Sequence, residues 1–318
     1  MIRYVVLRTL WAVLLSIGVG WALRAAEERS EPPQPYKTKV VLLGTGTPAP
    51  TPDRSGPATA IVVNDTAYLV DFGPGVVRRA NEAATRKDIE ALQPTRLRVA
   101  FVTHLHSDHT VGYPDLIFTP WTMGRRMPLE VYGPKGLKVM TEHLLEAYRV
   151  DIQTRTNPDG NQRTFADGHK VSAHEIAAGV VYKDGNVTVT AFPTKHAMES
   201  YGYRFDTPDR SIVVSGDTNP AQATIDACNG CDVLIHEAHT SAWLDARPEA
   251  GGAPRGTFRN FSEKYHTTTS QLADLARRAR PKLLILYHYN SLSDAELQTD
   301  MQGRYAGQFV IGRDLDVY

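Results

Sequence analysis

The sequence contains a dense group of side chains that can bind a metal ion, in the run THLHSDH at residues 103–109. A strand is predicted to end at Thr103. Side chains two positions apart lie on the same side of an extended segment, so His104 and His106 are expected side by side. Asp108 and His109 follow in a predicted turn. Neutral imidazole and carboxylate are good zinc ligands. Because the chain has only 11 histidines in 318 residues, a loop rich in histidine by chance is the weaker interpretation.

Three further candidates for metal ligands lie far from this run in the sequence. His196, Asp217 and His288 each follow a short apolar run that is predicted to be a buried strand. Strand ends on a rigid scaffold hold functional side chains precisely. Taken singly, they have structural explanations as a capping histidine, a turn aspartate and a half-buried histidine. Their shared placement favours one metal centre built from several strand ends.

The apolar pattern predicts a layered α/β fold. Runs bounded by Gly, Pro and Asn-Asp turns predict strands, and apolar residues at helical spacing predict helices. The predicted strands are residues 40–43, 60–63, 67–70, 97–103, 129–132, 180–183, 186–192, 201–205, 211–215, 233–236 and 283–287. The predicted helices are residues 137–148, 222–227, 269–280 and 294–302. Strands in the middle with helices outside them indicate two packed sheets covered by helices on both outer faces.

The composition is that of an ordinary globular protein, with 42% hydrophobic and 22% charged residues. The length of 318 residues allows one large domain or two smaller ones. Lys+Arg and Asp+Glu both number 35, so the formal net charge is zero. The global charge therefore gives no attraction toward nucleic acid or an anionic membrane.

The N-terminal segment predicts export. Arg3 and Arg8 precede residues 10–23, a run without charges. That run is shorter than the about 20 apolar residues of a membrane span, and it fits a secretory signal. We expect residues 1–26 to be a signal peptide or signal anchor, 27–37 a proline-rich linker, and 38–318 the folded domain. The expected location is the periplasm, or the membrane with the body facing the periplasm. An uncleaved anchor would be the only membrane contact.

Cys228 and Cys231 are the only cysteines. A local disulfide fits an oxidising compartment. A redox motif lacks a thioredoxin-like surrounding, and a zinc site lacks partners of matching spacing. A disulfide or two unreactive thiols at a helix end is therefore the favoured interpretation.

The pattern His-x-His-x-Asp-His at residues 104–109 resembles the metal signature of the metallo-β-lactamase superfamily, which implies an αββα sandwich. Further segments, in the same order, resemble the branch that contains ribonuclease Z and its arylsulfatase-like relatives. These segments are residues 43–46, 70–73, 196–205, 215–218, 234–238, 266–268 and 288. The resemblance covers most of residues 38–290.

The resemblance implies two zinc ions, with Mn²⁺ or Fe²⁺ as other divalent candidates. The ligands it implies are His104, His106 and His196 for the first ion, Asp108, His109 and His288 for the second, and Asp217 as a bridge between them. Such metal pairs share a hydroxide, because two dications lower the pKa of the water enough for hydroxide to exist at neutral pH.

The resemblance also implies three catalytic residues. Asp108 would orient the nucleophile or receive its proton, His266 would donate a proton to the leaving oxygen, and Glu237 would align His266. For His266, a capping role before the following helix is the alternative. Asp71 is expected to support a ligand or to form a turn rather than to act on substrate.

The sequence departs from ribonuclease Z in one segment. That family carries a long arm, which grips the tRNA, between its third motif and its bridging-Asp motif. Here only twenty residues separate His196 from Asp217, and two predicted strands and a turn use most of them. Metallo-β-lactamases themselves usually lack the bridging Asp, whereas the zinc lactonases keep it.

We therefore expect an exported binuclear zinc hydrolase that cleaves a phosphodiester or sulfate ester in a small anionic substrate. Three alternatives stay open: a lactonase or other carboxylic-ester hydrolase, a ribonuclease Z-type tRNA 3′-endonuclease, and a non-catalytic exported zinc-binding protein. Nucleic acid is not the expected partner, and a homodimer is left open.

Two other groups of residues receive no firm role. Residues 113–128, with Trp121, Met123, Arg125 and Arg126, either line the mouth of the site or form an ordinary packed loop. The remaining histidines without a matching motif are expected on the surface or in the core, and they are His143, His169, His174 and His239.

Overall fold

Two β-sheets form the centre of the computed structural model, which describes residues 37–159, 165–247, 254 and 256–318. The first sheet consists of β1 Lys39–Gly44, β2 Ala58–Val63, β3 Thr66–Val70, β4 Val99–Phe101, β5 Leu129–Gly133 and β6 Val171–Glu175. The second consists of β7 Gly179–Lys183, β8 Thr188–Pro193, β9 Tyr201–Asp206, β10 Ser211–Val214, β11 Val233–His239, β12 Leu283–Asn290 and β13 Phe309–Ile311.

Helices connect the strands. They are α1 Val76–Arg86, α2 Ser107–Thr110, α3 Tyr113–Thr122, α4 Leu137–Ala147, α5 Arg149–Thr156, α6 Gln222–Cys228, α7 Ser241–Ala246, α8 Thr257–Tyr265, α9 Thr269–Ala279 and α10 Asp294–Gln302. Helix α9 shows why one of them begins where it does. The Thr268 side chain accepts from the Gln271 backbone N–H while the Gln271 side chain accepts from the Thr268 backbone N–H, which is a capping box.

The two sheets have related topologies. The strand order is β1-β2-β3-β4-β5-β6 in one and β13-β12-β11-β10-β9-β8-β7 in the other. Strands β3 to β6 pair in parallel, and so do β10 to β13. The other neighbours pair antiparallel. The carboxyl ends of the parallel strands therefore collect at one edge of each sheet, which is where loops can carry a site.

Strand β1 shows how the sequence produces three apolar layers. Successive strand residues point to opposite faces, so Val40 and Leu42 enter the layer between the sheets, and Val41 and Leu43 enter the layer under the helices. All four side chains are fully buried. A third layer lies between the second sheet and helices α6, α9 and α10. Burial on both faces explains why these strands read as continuous apolar runs. The predicted αββα sandwich is confirmed.

The structure contains elements that the sequence pattern did not predict. Helix α1, strand β6 and strand β13 are examples. Residues 113–128, predicted as a cleft mouth or a packed loop, instead contain helix α3, whose Trp121 is fully buried although Pro120 lies inside the helix. Arg125 just beyond it is 1% exposed, and its guanidinium donates to four backbone carbonyls, those of Leu97, Leu116, Ile117 and Gly168.

Several strand predictions differ from the structure at their ends, and two of these strands carry residues of the site. Residues 97–103 were predicted as one strand, but the ladder covers only Val99–Phe101. Strand β12 was predicted to stop before His288, but it continues through Asn290, past a register shift against β11 between His236 and Ala238. A bulge of this kind turns side chains in a new direction and is common beside functional sites.

Cys228 and Cys231 form a disulfide at the end of α6, as one favoured interpretation predicted, and both are buried. The predicted signal segment, residues 1–26, lies outside the described residues, as does the predicted linker except for Lys37. Within the described part of the chain, no helix has both the length and the apolar character to cross a membrane.

Candidate metal centre

The predicted ligands meet at the edge where the parallel strands end. Strand β4 leads into the run from His104 to His109, and β8 leads to His196. Strand β10 leads to Asp217, and β12 carries His288. The two sheets are joined beside this edge, because the Tyr201 N–H donates to the Thr103 carbonyl at 2.9 Å. The structure therefore brings together seven residues that span nearly two hundred sequence positions.

The first group of candidate ligands contains three histidines and one aspartate. Its members, whose ligand atoms all lie within 4.8 Å of one another, are His104, His106, His196 and Asp217. The Nδ1 atom of His106 lies 3.0 Å from Nε2 of His104 and 3.0 Å from Nε2 of His196. Three ring nitrogens that face one another cannot all carry a proton, and their lone pairs can bind a cation placed between them.

The second group consists of Asp108, His109 and His288, again with ligand atoms within 4.8 Å of one another. The Oδ2 atom of Asp108 lies 3.2 Å from Nε2 of His288 and 3.5 Å from Nε2 of His109. His109 and His288 are almost completely buried, and the Asp108 side chain keeps 10% exposure.

Asp217, a member of the first group, also faces the second group. Its Oδ1 atom is 3.3 Å from Nε2 of His109 in the second group, and its Oδ2 atom is 3.9 Å from Nε2 of His104 in the first. One carboxylate thus faces both groups with separate oxygens. This is the placement expected of a bridging ligand.

Unsatisfied polar atoms test whether a metal fits here. Nε2 of His109, Oδ1 of Asp217 and Nδ1 of His288 are buried, and among the described residues none of them makes a hydrogen bond of acceptable geometry, although the first two atoms lie 3.3 Å apart. Buried polar atoms almost always have partners, because desolvation without one is costly. Imidazole nitrogen and carboxylate oxygen are donors that zinc accepts. The cluster is therefore compatible with metal binding.

Hydrogen bonds behind the ligands fix their orientation. Asp71, which comes directly after β3, accepts from the Thr103 N–H at 2.7 Å and lies 2.9 Å from Nδ1 of His109. Nδ1 of His196 lies 3.2 Å from the Tyr265 carbonyl. A ring that donates from Nδ1 keeps its Nε2 lone pair for a metal. The supporting role predicted for Asp71 agrees with these contacts.

Burial and charge set the protonation of the ring nitrogens. Burial lowers the pKa of His104 well below its usual value, and burial lowers the pKa of His196 to about 4. Both rings are therefore neutral near pH 7, as ligands must be. Burial opposes the charge of His109 too, but Asp217 and Asp71 together hold its pKa well above the usual value. In the bare protein, His109 takes part of the positive charge that a metal would supply.

Backbone strain is concentrated at this edge. Asp71 has φ 62° and His288 has φ 45°, which is the left-handed region that non-glycine residues rarely occupy. Gly216 has φ 61°, and a Cβ there would lie 2.7 Å from Cβ of Thr103. Only glycine avoids this clash, so the turn before Asp217 depends on it. Such strain is typical of functional sites, where the surrounding structure holds it in place.

His266 and Glu237 form a buried pair beside the first group. Nδ1 of His266 lies 2.9 Å from Oε2 of Glu237 and 3.9 Å from Oδ2 of Asp217. Burial alone would lower the pKa of His266, but Glu237 and then Asp217 raise it to about 9. Glu237 also accepts from the Thr218 N–H at 2.6 Å. The structure therefore places an imidazole with a raised pKa beside the first group of candidate ligands. His266 is the residue that ends α8, and Thr268, two positions later, is the N-cap of α9, so the capping alternative for His266 was wrong.

A cleft of about 300 Å³ leads to the centre. It is lined by candidate site residues His106, Asp108, Asp217, Glu237, His266 and His288, and by residues that sequence reasoning missed, among them Trp243, Arg247, Phe258 and Phe261. None of residues 113–128 lines this cleft, so that prediction for the mouth was wrong. The aromatic spacing of Phe258 and Phe261, one helical turn apart, was the available signal.

The four histidines without a matching motif lie in different surroundings. His143 is exposed, and His174 lies 2.7 Å from Glu130 on a half-exposed strand surface. His169 is partly exposed and contacts the ring of the fully buried Trp121. His239 was given no role, but it is 2% exposed and lies in the wall of the cleft.

Comparison with known proteins agrees with this architecture. A family model described as the beta-lactamase superfamily domain matches residues 66–289. A ribonuclease Z of Mycobacterium sp. (strain KMS) is 33% identical over 278 residues, which cover 85% of this chain and 90% of the relative. A ribonuclease Z of Mycobacterium bovis (strain BCG / Pasteur 1173P2) is 28% identical over 286 residues, which cover 87% of this chain and 96% of the relative.

Solved structures show the same fold. The metallo-beta-lactamase fold protein YhfI from Bacillus subtilis has a TM-score of 0.64 at 17% identity, covering 88% of this chain and 98% of that one. The short form of human tRNase Z has a TM-score of 0.62 at 22% identity, with 88% and 98% coverage. The chain therefore belongs to the beta-lactamase superfamily and is a metal-dependent hydrolase of ester bonds, with proteins named ribonuclease Z among its relatives.

Proposed function

We propose that the protein is a binuclear metal-dependent phosphodiesterase that acts on a small anionic diester. The observation that carries the proposal is Asp217, whose two oxygens face two separate groups of buried ligand atoms, with the His266–Glu237 pair directly beside them. Relatives named ribonuclease Z favour a phosphodiester over a sulfate ester. The seven residues proposed to hold the ions are His104, His106, His196, Asp217, Asp108, His109 and His288.

The ions and the protein have separate tasks. Two zinc ions, or manganese or iron in their place, would stabilise the negative charge of the transition state and acidify the attacking water. Asp108 keeps 10% exposure and lines the cleft, so its carboxylate orients the attacking water and receives its proton. The buried ligands are already fixed in place and need not rearrange during the reaction. Such preorganisation is usually the largest part of electrostatic catalysis.

His266 completes the step on the opposite side of phosphorus. The water oxygen forms a bond to phosphorus, and the bond from phosphorus to the leaving oxygen breaks. The leaving oxygen takes a proton from His266, whose raised pKa of about 9 keeps it protonated at neutral pH. Glu237 holds the ring through Nδ1 at 2.9 Å, which leaves Nε2 as the proton donor. General-acid help of this kind is worth about 100- to 10,000-fold in rate.

Ribonuclease Z activity is the second candidate, because relatives with that name align with this chain over most of their length. The length of one segment bears on tRNA as the substrate, although the relatives align over 90% and 96% of their own lengths and leave no room for a long insertion that this chain lacks. The segment from His196 to Asp217, where ribonuclease Z carries its arm, contains only β9, a turn and β10. In the turn, the Thr207 N–H donates to the Arg210 carbonyl at 2.9 Å, so the hairpin is closed tightly. A small diester needs no arm.

A substrate panel tests the proposal. Zinc-reconstituted protein is assayed with bis(4-nitrophenyl) phosphate, 4-nitrophenyl sulfate, a γ-lactone and a tRNA precursor with a 3′ extension. The proposal predicts the highest kcat/KM for the small diester. Precise cleavage of the tRNA precursor at a higher kcat/KM would establish the second candidate. Faster turnover of the sulfate or the lactone, or none at all, would contradict the phosphodiesterase.

Matched variants locate the activity. We expect His266→Ala to lower kcat by about 100-fold or more for a diester with an alkyl leaving group, and less for a nitrophenyl group that needs little protonation. His174→Ala removes another histidine that is paired with a glutamate, but far from the cleft, and serves as the control. Equal losses for both leaving groups would contradict the acid role of His266.

We also propose that the protein is exported, either released to the periplasm or anchored there. The charge-free run of residues 10–23 after Arg3 and Arg8 supports this, and so does the Cys228–Cys231 disulfide, which suits an oxidising compartment. Cell fractionation with N-terminal sequencing of the mature protein tests it. Recovery of the full chain only in the cytosolic fraction would contradict export.

A further inference from the structure

We propose that Trp243, Phe258 and Arg247 form a subsite that binds a planar aromatic ring carried by the substrate close to the scissile ester. The subsite deepens the proposed phosphodiesterase function, on which it rests for the position of the ester. Trp243 and Phe258 lie with ring centroids 5.8 Å apart in a T-shaped arrangement. The guanidinium of Arg247 lies 4.1 Å from the Phe258 ring and 5.0 Å from the Trp243 ring.

These side chains are placed for binding rather than for folding. In α7, Leu244 is the residue that enters the protein interior, at 6% exposure. The neighbouring Trp243 stays half-buried in the cleft wall, and Arg247 is exposed. Thr240 caps the start of α7 and so fixes the position of Trp243. Its hydroxyl accepts from the backbone N–H of Trp243 at 3.2 Å and donates to the Glu296 carboxylate at 3.0 Å. The fold thus holds the Trp243 side chain in the lining of the cleft.

The wall begins at the reaction centre. The Trp243 ring lies 6.2 Å from the ring of His239 on β11, the strand that also carries Glu237. Phe261, one helical turn after Phe258 on α8, lies 5.7 Å from the His266 ring. A ring that stacks on this wall therefore lies in the same cleft as the candidate metal centre.

The chemistry of the wall selects an aromatic anion. Tryptophan and phenylalanine offer flat apolar faces, and stacking of a base on such a face is worth about 5- to 150-fold in affinity. Arginine stacks on rings through its planar guanidinium and keeps its positive charge. Arg247 thus adds charge complementarity to a phosphate ester at the point where the ring binds. An aliphatic phosphate ester gains the charge contribution but not the stacking contribution.

The neighbouring surface leaves room for a substrate larger than the cleft. Trp243 also lines a second groove, of about 680 Å³, that shares Thr47, Ala49 and Asn290 with the cleft. A substituent that passes the Trp243 ring enters this polar groove. The subsite therefore lies between the metal centre and the open surface.

Two ligand pairs test the subsite without turnover. Isothermal titration of zinc-loaded protein compares AMP with ribose 5-phosphate, which differ by the adenine ring, and phenyl phosphate with cyclohexyl phosphate, which differ by aromaticity. We expect the ring to improve affinity about tenfold or more in at least one pair. Preference in the first pair only identifies a nucleobase, and preference in the second identifies a simple aryl group. Equal affinities within both pairs overturn the proposal.

Variants connect the preference to the wall. Trp243→Leu is expected to reduce it to threefold or less, and Arg247→Ala, at an exposed position, to reduce it about two- to fivefold. Phe165→Leu is the control, since Phe165 carries a similar stacked arginine, Arg126 at 4.4 Å, outside the cleft. A preference that both Trp243→Leu and Arg247→Ala leave intact overturns the proposal. A ring preference without diester hydrolysis would refute the phosphodiesterase and leave the subsite standing.

Discussion

Replacing Glu237 with glutamine separates the charge of this residue from its shape. In the native protein, burial opposes the charge on His266, but Glu237 and then Asp217 raise its pKa from 6.5 to about 9. Glutamine keeps an oxygen that can accept from Nδ1 of His266 and removes the negative charge. We expect the pKa of His266 to return to about 6.5 in the variant, where burial lowers it and Asp217 still raises it.

The size of the effect depends on pH in a calculable way. At pH 8, a group with a pKa of about 9 is about 90% protonated, and one with a pKa of about 6.5 is about 3% protonated. If protonated His266 is the acid, kcat of Glu237→Gln falls about 30-fold relative to the native protein at pH 8. At pH 6 both forms are mostly protonated, and the predicted loss is less than about twofold.

The assay is kcat from pH 6 to 9 with a diester that has an alkyl leaving group. Glu130→Gln is the matched control, because Glu130 lies 2.7 Å from Nε2 of His174 on a remote surface. We expect its pH profile to follow the native one. A loss in Glu237→Gln that is the same at every pH would refute the reasoning. Glu237 would then act by holding the Thr218 backbone, from which it accepts a hydrogen bond, and not through the charge of His266.

Three further predictions concern the scaffold and the ions. Asp71→Asn places an amide among groups that donate to Asp71, so we expect metal affinity to fall about 10- to 100-fold in chelator competition, and an unchanged affinity would count against this. Gly216→Ala should lower the free energy of unfolding by about 1–3 kcal/mol in urea because of its φ and the contact with Thr103, whereas Gly185→Ala, which meets nothing within 4 Å, should change it little. Removing metal with a chelator should lower Tm by at least about 5 °C, reversibly on adding zinc, since ions that bind only the folded state stabilise it. An unchanged Tm after chelation would contradict a metal site built from buried ligands.

The cluster of candidate ligands was largely predictable because its residues follow apolar strands. The run at residues 103–109 is local, so its composition alone indicated metal chemistry. His196, Asp217 and His288 could be added because strand ends recur as site positions. Their meeting in space followed from the sandwich, in which parallel strands end at a common edge.

The cleft wall was not predictable in the same way. Trp243 and Phe258 lie in α7 and α8, short helices whose apolar residues divide between the cleft and the interior. That division blurs the periodic signal on which helix prediction depends. His239 was set aside because no motif named it, and only tertiary packing places it beside Trp243.

Helix α3 and the contact between Asp71 and His109 show a second limit of prediction from sequence, because tertiary packing determines both. Pro120 inside α3 argues against a helix from local preference, but burial of Tyr113, Leu116 and Trp121 outweighs it. The contact of Asp71 with His109 joins the residue directly after β3 to the short helix α2, which follows β4. Sequence spacing does not encode that distance; the parallel register of β3 and β4 does.

The number of ions bound per chain tests the central claim most directly. Elemental analysis of the purified protein, after reconstitution with zinc and removal of free metal, should find two ions per folded chain, and Asp217→Ala should bind fewer under the same conditions. One ion or none in the native protein, with the fold intact, would contradict the proposed two-metal centre.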